Sequence, residues 1–218
     1  IRTPLNGVLG MMDVLGHQGL DAAQRRTVAV MRDSAQALLR IIDDVLDFSK
    51  IEAGRLELEE TEFSLSGLAD DISPAFQQQA STKGLVLETE ILPGSNDALV
   101  GDPMRVRQIL FNLLSNAVGF SPPGETVTLA AERRPDAIYF RVTDRGPGIP
   151  EEATDKVFDW FETDSMGSQH RGPGLGLSLV RSFVELHGGT VAIDSVPGKG
   201  TTVTCAFPVA QIAKQTAA

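Results

Sequence analysis

The N-terminal part of the chain carries apolar residues at the spacing of paired helices. Between residues 21 and 54 the apolar positions recur at alternating steps of three and four, which is a heptad pattern: Val28, Met31, Ala35, Leu38, Ile42 and Val45. Asp21 is the predicted N-cap of this segment and Gly54 its predicted C-cap. Residues 1–54 are therefore predicted to be helical throughout.

One pair of helices cannot bury two apolar faces by itself. The pattern therefore predicts that residues 1–54 form a helical hairpin that dimerises into a four-helix bundle. The alternative is a monomeric hairpin that packs on the domain following it. The length of the hairpin, with an apolar face on both helices, favours the dimer.

After Gly54 the spacing predicts a mixture of strands and helices. The strands do not alternate strictly with the helices, so the pattern predicts an α/β two-layer sandwich with a mixed sheet and, for the whole chain, an α+β fold. The predicted strands lie near 56–65, 84–92, 125–132, 137–144, 189–195 and 200–207, and the predicted helices near 64–81, 102–118 and 173–187. The predicted organisation is a hairpin at 1–54, a linker at 55–62, a domain at 63–209 and a tail at 210–218.

Composition narrows the classes of partner. The 218 residues carry a net charge of −10, which disfavours nucleic acid and anionic membranes as partners. No apolar run approaches the roughly 20 residues of a membrane helix, so we expect a cytoplasmic segment without membrane contact, whose parent protein could still be membrane-attached. The single Cys205 excludes an intrachain disulfide and is predicted to lie buried in a strand.

The first of four chemically suggestive clusters places two asparagines on one helix face. Asn112 and Asn116 are four residues apart in an otherwise apolar helix, where asparagine is a poor helix former. Their amide oxygens can hold a Mg²⁺ ion that bridges nucleotide phosphates. The alternative is a pair of solvent-facing or capping asparagines.

The second cluster follows a predicted strand. The carboxylate of Asp144 can accept a hydrogen bond from an exocyclic amine such as that of adenine, and Gly146 and Gly148 let the backbone approach a flat base. The alternative is an ordinary turn, because aspartate and glycine are common turn residues. For this cluster in isolation the turn is the stronger interpretation.

The last two clusters lie on either side of a polar, aperiodic segment, residues 162–171, which is predicted to form a lid. Phe158 and Phe161 precede it and can anchor a flap over a nucleotide, although core packing is the better interpretation in isolation. Gly172, Gly174 and Gly176 follow it and open a helix, whose N-terminal N–H groups can bind phosphate. The glycine spacing fits neither a dinucleotide-binding loop nor a Walker A loop.

Taken in order, the four clusters resemble the N, G1, F and G2 boxes of the ATP-binding domain of histidine kinases, a fold shared with gyrase, MutL and heat-shock chaperone ATPases. Residues 1–7, Ile-Arg-Thr-Pro-Leu-Asn-Gly, resemble the end of the histidine kinase H box. The resemblance implies that the phosphoacceptor histidine precedes Ile1 and that a response regulator receives the phosphoryl group. It also implies a site for Mg²⁺ and ATP, with Mg²⁺ on the two asparagines.

The resemblance assigns a nucleotide-binding role to a set of residues spread over the four boxes: Asn112, Asn116, Asp144, Gly146, Gly148, Phe158, Phe161, Arg171, Gly172, Gly174, Leu175, Gly176 and Leu177. Thr3 lies four residues after the expected histidine, a position that in this family often orients water for dephosphorylation of the regulator. An ordinary first-turn threonine is the alternative for Thr3. None of His17, His170 and His187 is a good substitute acceptor, and His187 is interpreted as a residue that favours a helix C-terminal dipole.

Two departures from the family pattern leave the activity open. Gly119 stands where the N box normally carries a basic residue, so one cation that would face the phosphates is missing. The C-terminal half also resembles an atypical DivL-like branch, whose members can carry tyrosine in place of the acceptor, while the N-terminal half resembles hybrid sensor kinases. The leading hypothesis is an autokinase and the second is a non-catalytic signalling module. An ATPase of the gyrase or MutL kind is the third, against which the hairpin argues.

Overall fold

The computed structural model describes residues 2–92, 98–154, 156–160 and 174–208. The chain divides into two compact units, Ile1–Leu56 and Glu57–Ala218. The first unit is helical and the second combines helices with a mixed sheet, which confirms the α+β fold. The division between the units lies inside the predicted linker, residues 55–62.

The first unit is a hairpin of two helices, α1 (Arg2–Gly16) and α2 (Ala22–Glu52). Residues 17–21 separate them, which agrees with the predicted hairpin and its second helix beginning after Asp21. Asp21 caps α2 as predicted and forms a capping box, in which its carboxylate accepts two N–H bonds while the Gln24 side chain accepts the N–H of Asp21.

The C-terminus of α2 ends in a Schellman motif. Gly54 has a φ of +62°, and the N–H of Arg55 donates to the carbonyl of Lys50 at 2.8 Å. The capping residue itself is Ala53, so the prediction that Gly54 is the cap is wrong by one position. Glycine is needed at the next position because the left-handed backbone conformation disfavours other residues.

Apolar side chains remain exposed along both helices of the hairpin. On α1 they include Met11, which is 72% exposed, and on α2 the heptad residues Met31, Leu38 and Val45. Such a face is stabilised when another apolar surface covers it. None of the helices in the described part of the chain combines the length and the apolar character that a membrane span requires.

The second unit is built on a five-stranded sheet in the order β2-β4-β5-β7-β6, with β1 and β3 as a separate antiparallel pair. Strands β2 and β4 are parallel and the other neighbours are antiparallel, which confirms the mixed sheet. The strands are β1 (Thr61–Ser64), β2 (Val86–Ile91), β3 (Ala98–Gly101), β4 (Thr126–Arg133), β5 (Ala137–Thr143), β6 (Thr190–Val196) and β7 (Gly200–Pro208). The helices are α3 (Leu65–Thr82), α4 (Pro103–Phe120), α5 (Glu151–Thr154) and α6 (Gly176–Leu186), with a 3-10 turn at Lys156–Phe158.

The core lies between one face of the sheet and the helices α3, α4 and α6. Burial alternates along β4, β5 and β7, so that every second side chain points toward the helices. Helix α4 contributes the most buried side chains: Val106, Ile109, Leu110, Leu113, Leu114, Ala117 and Val118. Their spacing of one and three residues keeps them on one helix face, which fixes the orientation of the opposite face.

Several element boundaries differ from the sequence-based predictions. The predicted strand at 56–65 is wrong over most of its length, because only Thr61–Ser64 pairs, with β3. Strand β3 and helix α5 were not predicted, since each has four residues and no period can be recognised over that length. Helix α6 begins at Gly176, later than the predicted 173.

Cys205 lies in β7 and is fully buried, as predicted. Burial raises the pKa of its thiol to about 12, because the thiolate would be desolvated. The side chain therefore acts as a small core residue, and a thiol in this state is a poor nucleophile.

We expect Asp21→Ala to lower the free energy of unfolding by about 1 kcal/mol, because two N–H groups at the start of α2 lose their acceptor. Urea unfolding followed by circular dichroism, at one fixed protein concentration, measures the change. Asp21→Asn is the matched control and should remain within a few tenths of a kcal/mol of the wild type. Equal losses in both variants would contradict a capping role.

Candidate functional site

Asp144 lies directly after β5, where the strand leaves the sheet. Its Oδ1 accepts the N–H of Gly146 at 2.7 Å and the N–H of Thr201 at 3.3 Å. Burial raises the pKa of the carboxyl above its ordinary value, and the two N–H donors partly oppose that rise. The carboxyl group is thus fixed in orientation and partly desolvated, which strengthens a hydrogen bond to a further donor.

The glycines after Asp144 are required by close packing within the protein. Gly148 has a φ of +71°, and a Cβ there would lie 2.2 Å from the carbonyl oxygen of Val196. A Cβ on Gly146 would lie 2.9 Å from the Asp144 carboxylate and 3.2 Å from the carbonyl oxygen of Phe120. These contacts hold the loop against the end of α4 and the β6–β7 turn. Approach of a base to the two glycines remains a prediction.

Asn112 and Asn116 lie on α4, both half-buried, on the side of the helix left free by its apolar face. The Nδ2 of Asn112 donates to the carbonyl of Gly176 at 3.4 Å, and a Cβ on Gly176 would lie 3.8 Å from the Asn112 side chain. The first and fourth clusters of the sequence, 64 residues apart, are therefore in contact.

The N-terminus of α6 is open to an anion. Helices α2, α3 and α4 each have a side chain that caps the first turn, whereas no side chain among the described residues caps α6. Gly174 precedes it with a φ of +71°, Leu175 is fully buried and Leu177 is half-buried. The N–H groups of the first turn point along the helix axis and carry its positive dipole end.

The C-terminus of α4 is satisfied by a cation from another helix. Lys83, directly after α3, donates from Nζ to the carbonyl of Val118 at 2.7 Å and also to the carbonyl of Gly119. Burial lowers the pKa of Lys83. At Gly119 itself a Cβ would have no atom within 4 Å among the described residues outside its own stretch of helix, so these residues leave space for a larger side chain.

The other predicted site residues are only partly described. Phe158 lies in the 3-10 turn, with the guanidinium of Arg181 6.0 Å from its ring centre, which connects this turn to α6. Phe161, Arg171 and Gly172 lie outside the described residues, together with the predicted lid. Thr3 is exposed on α1, in the first unit.

Sequence reasoning missed several residues that shape the site. Gly200 has a φ of +110°, and a Cβ there would lie 2.0 Å from the carbonyl oxygen of Asp144. Ser195 accepts the N–H of Ile149 at 2.8 Å and so holds the end of the glycine loop. The run Pro197-Gly-Lys-Gly-Thr201 signalled a tight turn, but nothing in it signalled contact with Asp144.

Comparison with known proteins identifies both units. Residues 101–211 match the family profile described as Histidine kinase-, DNA gyrase B-, and HSP90-like ATPase. Residues 1–54 match the His Kinase A (phospho-acceptor) domain. The chain belongs to the sensor histidine kinase family.

Two curated relatives and one solved structure illustrate what this histidine kinase resembles. It is 41% identical to the circadian input-output histidine kinase CikA of Synechococcus elongatus, over 95% of this chain and 28% of that protein. It is 38% identical to the sensor protein DivL of Caulobacter vibrioides, over 97% of this chain and 27% of that protein. Full-length ShkA, solved in complex with AMPPNP, superposes with a TM-score of 0.74 and 34% identity, over 95% of this chain and 43% of that one. The chain thus spans less than a third of the length of these two curated relatives.

The raised pKa of Asp144 predicts how the free energy of unfolding of this histidine kinase depends on pH. A carboxyl whose pKa is raised by folding contributes stability below its unfolded pKa, and this is lost as the pH rises through the folded pKa. Asp144→Asn cannot ionise. We therefore expect its free energy of unfolding to improve relative to the wild type as the pH rises through the folded pKa of Asp144, as measured by urea unfolding.

Asp136 provides a control of opposite sign. The hydrogen bond from the Tyr139 hydroxyl lowers the pKa of Asp136, so its contribution is present at high pH and is lost as the pH falls. The free energy of unfolding of Asp136→Asn should therefore fall relative to that of the wild type as the pH rises. If the free energies of unfolding of both variants changed in the same direction with pH, relative to the wild type, the raised pKa of Asp144 would be contradicted.

Proposed function

We propose that this chain is the core of an autokinase that binds Mg²⁺ and ATP and phosphorylates a histidine preceding Ile1. The phosphoryl group would then pass to an aspartate of a response regulator. The observation that carries the proposal is the contact between Asn112 and Gly176, which joins the asparagine face of α4 to the open N-terminus of α6. ShkA, which is 34% identical to this chain, was solved in complex with AMPPNP, and this supports a nucleotide ligand for this chain.

Each group of the site has a role that suits its chemistry. The amide oxygens of Asn112 and Asn116 would hold Mg²⁺, a hard cation that prefers oxygen ligands and, when bound, neutralises phosphate charge. The first-turn N–H groups at Gly176 and Leu177 would bind phosphate oxygens. Asp144 would accept a hydrogen bond from the adenine amine, as an ionised carboxylate does without needing a proton of its own.

Catalysis would rest on positioning and charge neutralisation. A ring nitrogen of the acceptor histidine that carries no hydrogen would attack the γ-phosphorus with its lone pair. A nitrogen–phosphorus bond forms, the bond to the bridging oxygen breaks, and ADP leaves with that electron pair. Because the site and the hairpin belong to separate units, transfer would require contact between the γ-phosphate bound to one unit and the acceptor histidine of the other.

The hairpin would supply the dimer interface and the surface for the regulator. Its exposed apolar residues on both helices support a homodimer through residues 1–54 that forms a four-helix bundle. Thr3 is exposed on α1, which is compatible with the proposed orientation of water during dephosphorylation of the regulator.

The second candidate function is a DivL-like module that binds partners or nucleotide with little kinase activity. Gly119, which leaves the N box without its usual cation, and the 38% identity to DivL favour it. The two candidates differ in phosphoryl transfer, and nucleotide binding alone does not distinguish them. Binding must therefore be measured separately from turnover.

Incubation with γ-labelled ATP, in a chain carrying the native residues upstream of Ile1, separates the candidates. An autokinase incorporates acid-labile label, whereas a non-catalytic module binds nucleotide without label. Asn112→Ala and Asn116→Ala should each abolish labelling and Mg²⁺-dependent binding. Thr128→Ala, on the sheet face away from the helices, is the matched control and should retain both. Normal Mg²⁺-dependent binding by both asparagine variants would overturn the assignment of the metal site.

We expect Gly119→Lys to tighten ATP binding by about tenfold or more, since a charge-assisted contact contributes about 1.5–3 kcal/mol. The open space at this position should accommodate the new side chain. Isothermal titration calorimetry at low and high salt measures the change, which should weaken with salt. Gly119→Ala adds helix propensity without charge and controls for rigidity. An equal gain in ATP affinity in that variant would contradict the missing-cation argument.

A further inference from the structure

Part of the predicted linker is fastened to the ATP-binding unit. The N–H of Glu59 donates to Oδ2 of Asp102 at 3.1 Å, across 43 positions of sequence. One residue earlier, Leu58 lines a cavity of about 100 Å³ together with Phe63 and Leu99. Residues 58 and 59 thus contact the rest of the second unit, although they have no regular secondary structure.

Asp102 connects this linker segment to two helices. It is 6% exposed, and its Oδ1 caps α4 by accepting the N–H of Arg105 at 3.0 Å. Its own N–H points to Nε2 of His187, at the end of α6, at 3.4 Å. One carboxylate therefore satisfies two N–H donors, of which one belongs to α4 and the other to the linker.

The ring of His187 lies between two backbone groups. Its Nδ1 lies 2.7 Å from the carbonyl of Phe183, which can only accept, and its Nε2 faces the N–H of Asp102, which can only donate. The tautomer with hydrogen on Nδ1 satisfies both bonds. His187 lies at the C-terminal end of α6, as predicted, and it also joins the ends of two helices.

We propose that Asp102 is a positioning residue that limits the free joint between the two units. The inference rests on the proposed autokinase function. Backbone bonds fix Arg55 on one side and Glu59 on the other. The joint is therefore residues 56–58, of which Leu58 is held only by side-chain packing and by no backbone hydrogen bond among the described residues. Loss of the bond from Glu59 extends the joint to residue 60, because Thr61 is held by pairing with Gly101.

A longer joint lowers the rate of phosphoryl transfer and leaves nucleotide affinity unchanged. For a tether that already spans the two groups, the effective concentration falls as about the −3/2 power of tether length, so an extension from three residues to five lowers it about twofold. Asn112 lies ten residues beyond Asp102 along α4, a distance of about 15 Å. The nucleotide site therefore does not respond while the helix cap is kept.

The variant Asp102→Asn distinguishes the bond from Glu59 from the cap of α4, because it should lose the first and keep the second. Asparagine is as good an N-cap as aspartate, so its oxygen remains on the Arg105 N–H, while its NH₂ group then faces the Glu59 N–H and repels it. Asp21→Asn makes the same change at the cap of α2 and is the matched control. Glu59→Pro removes the donor itself, and Glu57→Pro is the proline control in the same segment.

The experiment uses the parent chain with its acceptor and records three quantities for each variant: hydrogen exchange of amides in residues 57–60, the Kd for ATP, and the autophosphorylation rate at saturating ATP. In Asp102→Asn and Glu59→Pro we expect at least tenfold faster exchange, an autophosphorylation rate about twofold below that of the matched control, and a Kd within twofold. Unchanged exchange overturns the proposal, as does a rate equal to that of the control.

A parallel loss of ATP affinity also overturns it, because Asp102 would then act on the site and not on the joint. Failure of the proposed function gives a different result. If the wild-type chain is not phosphorylated, the proposed role of Asp102 in phosphoryl transfer is wrong. The hydrogen-exchange rates still show whether the Glu59 N–H is bonded to Asp102.

Discussion

Helix α4 is held at its two ends by single charged side chains of opposite sign, and the ATP-binding unit is built around it. Asp102 caps the N-terminus and Lys83 donates to the carbonyls at the C-terminus. Each charge matches the helix dipole at its end. Seven buried apolar side chains hold the helix along its length, so neither translation nor rotation is free. The positions of Asn112 and Asn116 follow from these constraints.

Much of this architecture could be read from local patterns. The heptad spacing in α2, the capping role of Asp21 and the alternation in β4, β5 and β7 depend on near neighbours, so the sequence alone predicts them. Strand β3 and the true extent of β1 could not be predicted in the same way. They exist because two four-residue segments pair across the sequence, and pairing of backbone groups leaves no side-chain pattern.

The site shows the same division. The motifs predicted which side chains meet, and the contact between Asn112 and Gly176 agrees with the order of the boxes. The glycines of the loop have a second reason that the sequence did not indicate, since Gly148 is required by the backbone of Val196 whether or not a base is present. Lys83 was missed because its partners are carbonyl groups, and any residue type could have supplied those carbonyls.

Charge explains why the missing cation at position 119 need not remove nucleotide binding. A chain of net charge −10 offers no general attraction for a polyanion, so its phosphate site depends on local donors. At α6 these donors are backbone N–H groups, which remain whatever side chains occupy the first turn, proline excepted. A lysine at 119 would add a charge to a site that the backbone already forms. In the proposed autokinase, the missing charge would therefore weaken both binding and stabilisation of the transferring phosphoryl group, while the backbone donors of α6 would still bind phosphate.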